Sequence, residues 1–330
     1  MAEPLVRLAW RPFRLPLARL LVTAQGTIAE KRGWLLRLEW EGALGWGEAA
    51  PLPVRAALEQ ERLGELAAAI EALGSTLPRQ ALEAMLPALL PELGFALGMA
   101  LGEADGLVGA RAGGWLPAPS SAVLLPPGPT AITAMEAALA SAGPFSVNPF
   151  TAKWKVASLD DALERRVLEE VLLLLPTQAR LRLDANGGWS RATATAWGDR
   201  LADELRLGWL EQPLAPEDQA GLEALAARLP VALDESLRQS PALRQSWPGW
   251  QVRRPALEGD PRPLLALLQA GTPRLMLSTA FETGIGRRWL HHLAALQAQG
   301  PTPAAPGLAP GWTPEAPLSS LNPEIAWEAA

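Results

Sequence analysis

The chain has no cysteine and no tyrosine. Disulfides, thiolate metal sites and cysteine nucleophiles are therefore excluded. Its two histidines are adjacent, His291 and His292. They cannot build a multi-histidine metal centre, and they leave histidine-based catalysis one candidate position. No apolar run approaches the length that crosses a membrane. Arginines scattered through the first residues (Arg7, Arg11, Arg14) interrupt the apolar core a signal peptide would need. There is no basic block, and the net charge is −6, which argues against a nucleic-acid partner. The expectation is a cytoplasmic protein with neither a nucleic-acid nor a membrane partner.

What is present describes a folded chain. It has 330 residues, 49% hydrophobic and 19% charged. That length predicts two domains, or one large α/β domain with an addition. Lysine is scarce: Lys31, Lys153 and Lys155 stand against 26 arginines. A lysine that persists against such a bias suits a task arginine cannot perform. Giving and taking a proton is such a task, because guanidinium stays charged at any working pH. Two of the three lysines share one tripeptide, Lys153-Trp154-Lys155; for a lone pair of this kind, solvated side chains remain the plainer reading.

The first hundred residues read as strands followed by helices. A strand is expected over 35–40, a turn-rich entry over 42–47, and helical spacing over 55–72 and 80–102. The Gly-rich stretch 106–114 marks a boundary. Beyond it, short apolar runs alternate with helix-length segments, the pattern of a parallel sheet with right-handed crossovers. Strands are expected at 121–125, within 147–156, and at 181–184, 209–211, 231–234, 250–253 and 274–278. Six or more such units fit a barrel. The fold expected is a (β/α)7-8 modified TIM barrel (residues 113–310) with an N-terminal α+β capping domain (1–112). A Pro-rich tail (311–330) would pack back on the cap.

In such a barrel the C-terminal strand ends converge on one mouth. Six of the seven candidate strands end at or just before Lys155, Asp184, Glu211, Asp234, Arg254 and Ser278, with spacings of 20 to 29 residues. Each carboxylate alone could be the N-cap of the following helix. Three on successive strands, with no His or Cys beside them, form a hard-oxygen set suited to Mg²⁺. Lys153 and Lys155 lie two apart on an extended segment, so both point into the barrel. Neighbouring positive charges move a lysine toward neutrality, and a neutral lysine is a base. A base facing a metal suits removal of a proton alpha to a carboxylate. Asn186, after Asp184, reads as a turn residue first and as support for the metal shell second. His291 and His292 fall in a helical pattern and read as a packed or surface pair.

These segments resemble the enolase superfamily, for which a Lys or His base beside Mg²⁺ is a known pattern. The matching pieces are G-W-G-E-A-A-P-L-P (45–53), T-A-K-W-K-V (151–156), L-R-L-D-A-N-G-G-W (181–189), L-E-Q-P-L (210–214), A-L-D-E-S-L (232–237), R-P-A-L-E-G (254–259) and L-S-T-A-F-E-T-G-I-G (277–286). Within the superfamily they are most similar to the o-succinylbenzoate synthase family. The resemblance implies Mg²⁺-dependent dehydration of 2-succinyl-6-hydroxy-2,4-cyclohexadiene-1-carboxylate, with Lys155 as base and then acid. It implies that Lys153 steadies the substrate carboxylate. Asp184, Glu211 and Asp234 would bind Mg²⁺, and Ser278, Thr279 and Asn186 would lie near the substrate. The loop around 17–26 and the segment 47–53 would close the mouth. One position departs from the pattern. Arg254 stands where the family usually has lysine, which counts against a two-base racemase, since arginine cannot act as a base at neutral pH. The segment 306–312 also lacks the D-x-D of the dipeptide epimerases.

Overall fold

The computed structural model describes residues 4–23, 26–52, 56–142 and 150–330. Its first sheet is antiparallel, in the order β3-β2-β1-β4, built from β1 (Leu5–Thr23), β2 (Gly26–Trp40), β3 (Ala43–Ala49) and β4 (Thr76–Pro78). Two expectations change here. Residues 17–23 are not a loop but the end of β1, paired with β2 out to Thr23 opposite Gly26. Residues 43–47 are not an irregular entry but the start of β3, reached through a turn whose Gly42 has φ 80°. Ala24, Gln25 and Pro53 of the expected mouth-closing segments lie outside the described residues, as do 147–149 of the expected strand.

The helix Pro91–Ala104 packs on this sheet. A Cβ at Gly45 would fall 1.8 Å from the carbonyl oxygen of Ala100, and one at Gly47 2.1 Å from that of Ala96. Both glycines are required by this close approach of helix to strand.

The second sheet is parallel and runs in sequence order, β5 (Val123–Leu125), β6 (Thr151–Lys155), β7 (Arg180–Asp184), β8 (Leu207–Glu211), β9 (Val231–Leu233), β10 (Trp250–Arg253) and β11 (Leu275–Leu277). Sequential order with helical crossovers curls the sheet into a barrel. Residues 306–308 take the eighth place. Gly307 N–H donates to Leu277 and Thr279 N–H to Gly307 on one side, and Ala122 N–H donates to Pro306 on the other. An apolar layer between strands and helices holds Trp154, Leu181, Leu183, Trp197 and Leu210.

Cap and barrel share a second core. It joins Phe13, Leu35 and Trp46 of the cap to Leu264, Leu277 and Trp289 of the barrel. The C-terminal residues join it too: Trp327 meets Trp46 edge-on, and its carbonyl accepts from Arg11 of β1. No helix among the described residues is long and apolar enough to cross a membrane.

Candidate active site

Along β6 the side chains alternate, so Trp154 enters the apolar layer against Trp197 while Lys153 and Lys155 face inward. The loop after β6 is fixed by the buried Glu164, whose carboxylate accepts from the N–H groups of Ala157, Ser158 and Leu159. Asp184 and Glu211 close β7 and β8. Asp234 stands just past β9, and Arg254 just past β10.

These side chains meet. Lys153 Nζ lies 2.9 Å from Asp184 Oδ2 and 2.6 Å from Glu211 Oε1. Arg254 grips Asp234 through Nε at 3.1 Å and NH2 at 2.7 Å. Its NH1 donates to the carbonyl of Thr279 at 2.6 Å. Lys155 Nζ reaches Asn186 Oδ1 at 3.3 Å, and Asn186 Nδ2 donates to Glu235 at 3.1 Å. Ser278 is placed otherwise: its hydroxyl faces the carbonyl of Gly307 at 3.5 Å. Thr279 reaches the cluster through its carbonyl, and its hydroxyl donates to Glu282.

The charges are strongly coupled. Burial pulls the Lys153 pKa down, but Asp184 and Glu211 outweigh it and hold the group protonated, above its ordinary value. The expected drift of a mouth lysine toward neutrality therefore does not apply to Lys153, because two carboxylates reach it. Burial raises the Glu211 pKa, Lys153 opposes, and the fields of Asp184 and Asp234 raise it further. Burial would likewise raise Asp234, yet Arg254 overrides it and holds Asp234 low. Glu235 is pushed up to about 7 by burial and by the fields of Asp234 and Asp184.

The N-cap alternative is not how these carboxylates are used. Asp234 occupies the cap position of the helix Glu235–Gln239 without a side-chain cap bond, and the helix after Asp184 is capped by Ser190 instead. Nor do three Asp, Glu or His side chains, among the described residues, gather into a metal shell by themselves. Instead the Lys153 ammonium stands between two of the carboxylates as an internal cation. That stand-in shows the pair stabilises positive charge at this point. The donors are all hard oxygens on adjacent strand ends, so their chemistry fits Mg²⁺. An ion binding there must displace Lys153 from its bridge.

Gln212 was passed over in the sequence. It is fully buried, its amide donates to Leu214 and Ser236, and its oxygen accepts from the N–H groups of Asp234 and Ser236. It fastens the end of β8 to the loop that carries Asp234. The available signal was an amide directly after a strand-end carboxylate, in E-Q-P. Ala157, Asn186 and Gln212 all sit at positive φ just past strand ends. Such backbone costs about 1–3 kcal/mol per residue and is concentrated at functional sites. The histidines take no part: His292 accepts from Leu116 N–H in a packed position.

A parallel barrel with an antiparallel cap and carboxylates on three successive strand ends defines the enolase superfamily, and comparison with known proteins agrees. The model of the family described as "Enolase C-terminal domain-like" matches residues 134–247. An L-Ala-D/L-Glu epimerase of Escherichia coli is 30% identical over 67% of each chain. The o-succinylbenzoate synthase of Thermosynechococcus vestitus is 34% identical, covering 87% of this chain and 88% of that one. The crystal structure of o-succinylbenzoate synthase from Thermosynechococcus elongatus BP-1, complexed with Mg in its active site, superposes with a TM-score of 0.78 at 31% identity. It covers 98% of this chain and all of the other. The chain belongs to the o-succinylbenzoate synthase family.

Proposed function

We propose that this chain is a Mg²⁺-dependent hydro-lyase of the cytoplasm that dehydrates 2-succinyl-6-hydroxy-2,4-cyclohexadiene-1-carboxylate to 2-succinylbenzoate, in menaquinone or phylloquinone synthesis. The observation that carries this reading is the ring of Lys153, Asp184, Glu211, Asp234 and Arg254 at the barrel mouth, with Lys155 beside it on Asn186. Residues 1–112 serve as the cap, 113–310 as the catalytic barrel and 311–330 as a tail on the cap.

Asp184, Glu211 and Asp234 would hold the Mg²⁺. Bound there, it supplies positive charge against the negative charge that develops on the substrate carboxylate. Lys155 takes the proton alpha to that carboxylate. It then returns a proton to the hydroxyl on the same face; the C–O bond breaks, water leaves and the ring becomes aromatic. Lys153, displaced from its carboxylates, places its charge on the substrate carboxylate. Asn186 steadies the Lys155 amine, and Thr279, whose carbonyl holds Arg254, flanks the substrate. Arg254 faces the same space as a fixed cation and exchanges no proton.

The epimerase relative makes racemisation the competing reading. It requires a proton-transfer group on each face, and Arg254 cannot be one. The direct test is an assay with the cyclohexadiene carboxylate and Mg²⁺, coupled to deuterium exchange with amino-acid substrates. Dehydration that stops on adding a chelator while the far-UV spectrum is retained is the expected result. Turnover without divalent metal, or exchange of the alpha proton of both enantiomers, would overturn the proposal.

A further inference from the structure

A cavity lies at the other end of the barrel. Its volume is about 720 Å³, within the range of small-molecule sites. It is lined by the opening residues of the strands, among them Thr151, Arg180, Leu207 and Trp250, and by Arg182 and Trp209 one layer in. The catalytic side chains sit at the opposite strand ends.

Arg182 is 3% exposed. Its guanidinium lies 3.9 Å from the Trp209 ring centroid, and NH1 donates to the carbonyl of Ala305 at 2.6 Å. The Nε–H is buried and has no partner among the described residues. No carboxylate stands within ion-pair distance of it there, unlike Arg253 or Arg254. A guanidinium stays a cation at any working pH. A buried charge without a counter-ion is costly, and native structures pair such groups. Trp250 packs 4.6 Å from Trp209, which extends the aromatic wall. No acidic side chain lines the cavity among the described residues. Arg180, two residues earlier on the same face of β7, adds a second positive charge at the rim.

We propose that this cavity is a second binding site, separate from the catalytic mouth, for a small aromatic carboxylate whose anion pairs with Arg182 and whose ring lies against Trp209 and Trp250.

The test uses the full chain with benzoate as probe, by titration calorimetry in the presence of a chelator. A ligand of this size binds at about millimolar Kd. Expected are one-site binding, at least tenfold weaker binding of the uncharged isostere benzamide, and a similar loss in Arg182→Met. Lys155→Ala, at the other end of the barrel, should bind benzoate as the wild type does. If Arg182→Met does not fold, the exposed rim position Ser141 decides: Ser141→Asp weakens and Ser141→Lys strengthens binding by several fold. Absence of binding, unchanged affinity in a folded Arg182→Met, no difference between the Ser141 variants, or loss of binding in Lys155→Ala would each overturn the proposal. The last outcome would place benzoate at the catalytic mouth, leaving the dehydration reading intact.

Discussion

Arg254 holds Asp234 through two charge-assisted hydrogen bonds, at 3.1 and 2.7 Å, and ties the pair to the carbonyl of Thr279. The planar fork of guanidinium makes this grip possible, and an ammonium cannot reproduce it. In Arg254→Lys one of these bonds is lost, which frees Asp234 for a metal ion. A charge-assisted bond is worth about 1.5–3 kcal/mol, so Mg²⁺ affinity should rise roughly tenfold, with turnover kept or increased. Calorimetric Mg²⁺ titration beside steady-state kinetics measures both. A hundredfold fall in turnover would show that the guanidinium does more than supply a field.

The second prediction concerns Lys155. Lys155→Arg keeps the charge and the reach to Asn186 but removes the proton transfer. Proton transfer by a positioned group contributes about 10²–10⁴-fold, so dehydration should fall by roughly a thousandfold with an unchanged melting temperature. Near-normal turnover would remove this lysine from the chemistry.

Lys31, the third lysine, is buried. Its Nζ donates to the carbonyl of Ala280 at 2.7 Å. Burial pulls its pKa down, while Glu48 and Glu282 push it back up. Glu48, raised toward 7 chiefly by burial, accepts from the N–H and hydroxyl of Thr283 and from Gly286 N–H. Together they fasten the cap sheet to the loop after β11. In Lys31→Met the buried Ala280 carbonyl loses its donor, so unfolding in urea should show a loss of about 1–3 kcal/mol. A loss under 1 kcal/mol would mean that the latch is carried by the backbone alone.

Acid stability should depend on Glu83. Arg262 and then Arg79 hold its pKa down to about 2, against the opposing effect of burial. Arg262 belongs to a barrel helix and Glu83 to the cap, so the pair spans both. A depressed carboxylate pKa stabilises the fold above the unfolded value, and that stability is lost as pH falls through 4.5 toward 2. Because the pair is partly exposed, Glu83→Gln should cost only about 1 kcal/mol at pH 7, and its melting temperature should converge on the wild type's near pH 2. Equal acid sensitivity in the variant would count against this assignment.

Much of the barrel was legible because its signals are local. An apolar run, a polar strand end and a helix-length segment recur about every 25 residues, and β7, β8 and β10 fall within two residues of the expected ranges. The long β1–β2 hairpin was not legible. Arginines and prolines interrupt β1, and its pairing partner, not its own pattern, makes it a strand. The eighth barrel position was hidden for the same reason. Residues 306–308 carry no strand signal and are extended because open backbone groups face them from both sides.

Sequence alone therefore determined which groups stand at the mouth: two lysines on one face of a strand, three carboxylates on successive strand ends, and an arginine where the family usually has lysine. Side-chain alternation and unit spacing are properties of the chain itself. Tertiary structure decided who pairs with whom. Lys153 bridges Asp184 and Glu211, Arg254 takes Asp234, Gln212 holds the loop beneath them, and Arg182 is left buried without a counter-ion among the described residues. Those outcomes depend on distances between segments far apart in the chain, and on the cost of burying charge, which exists only once the barrel has closed.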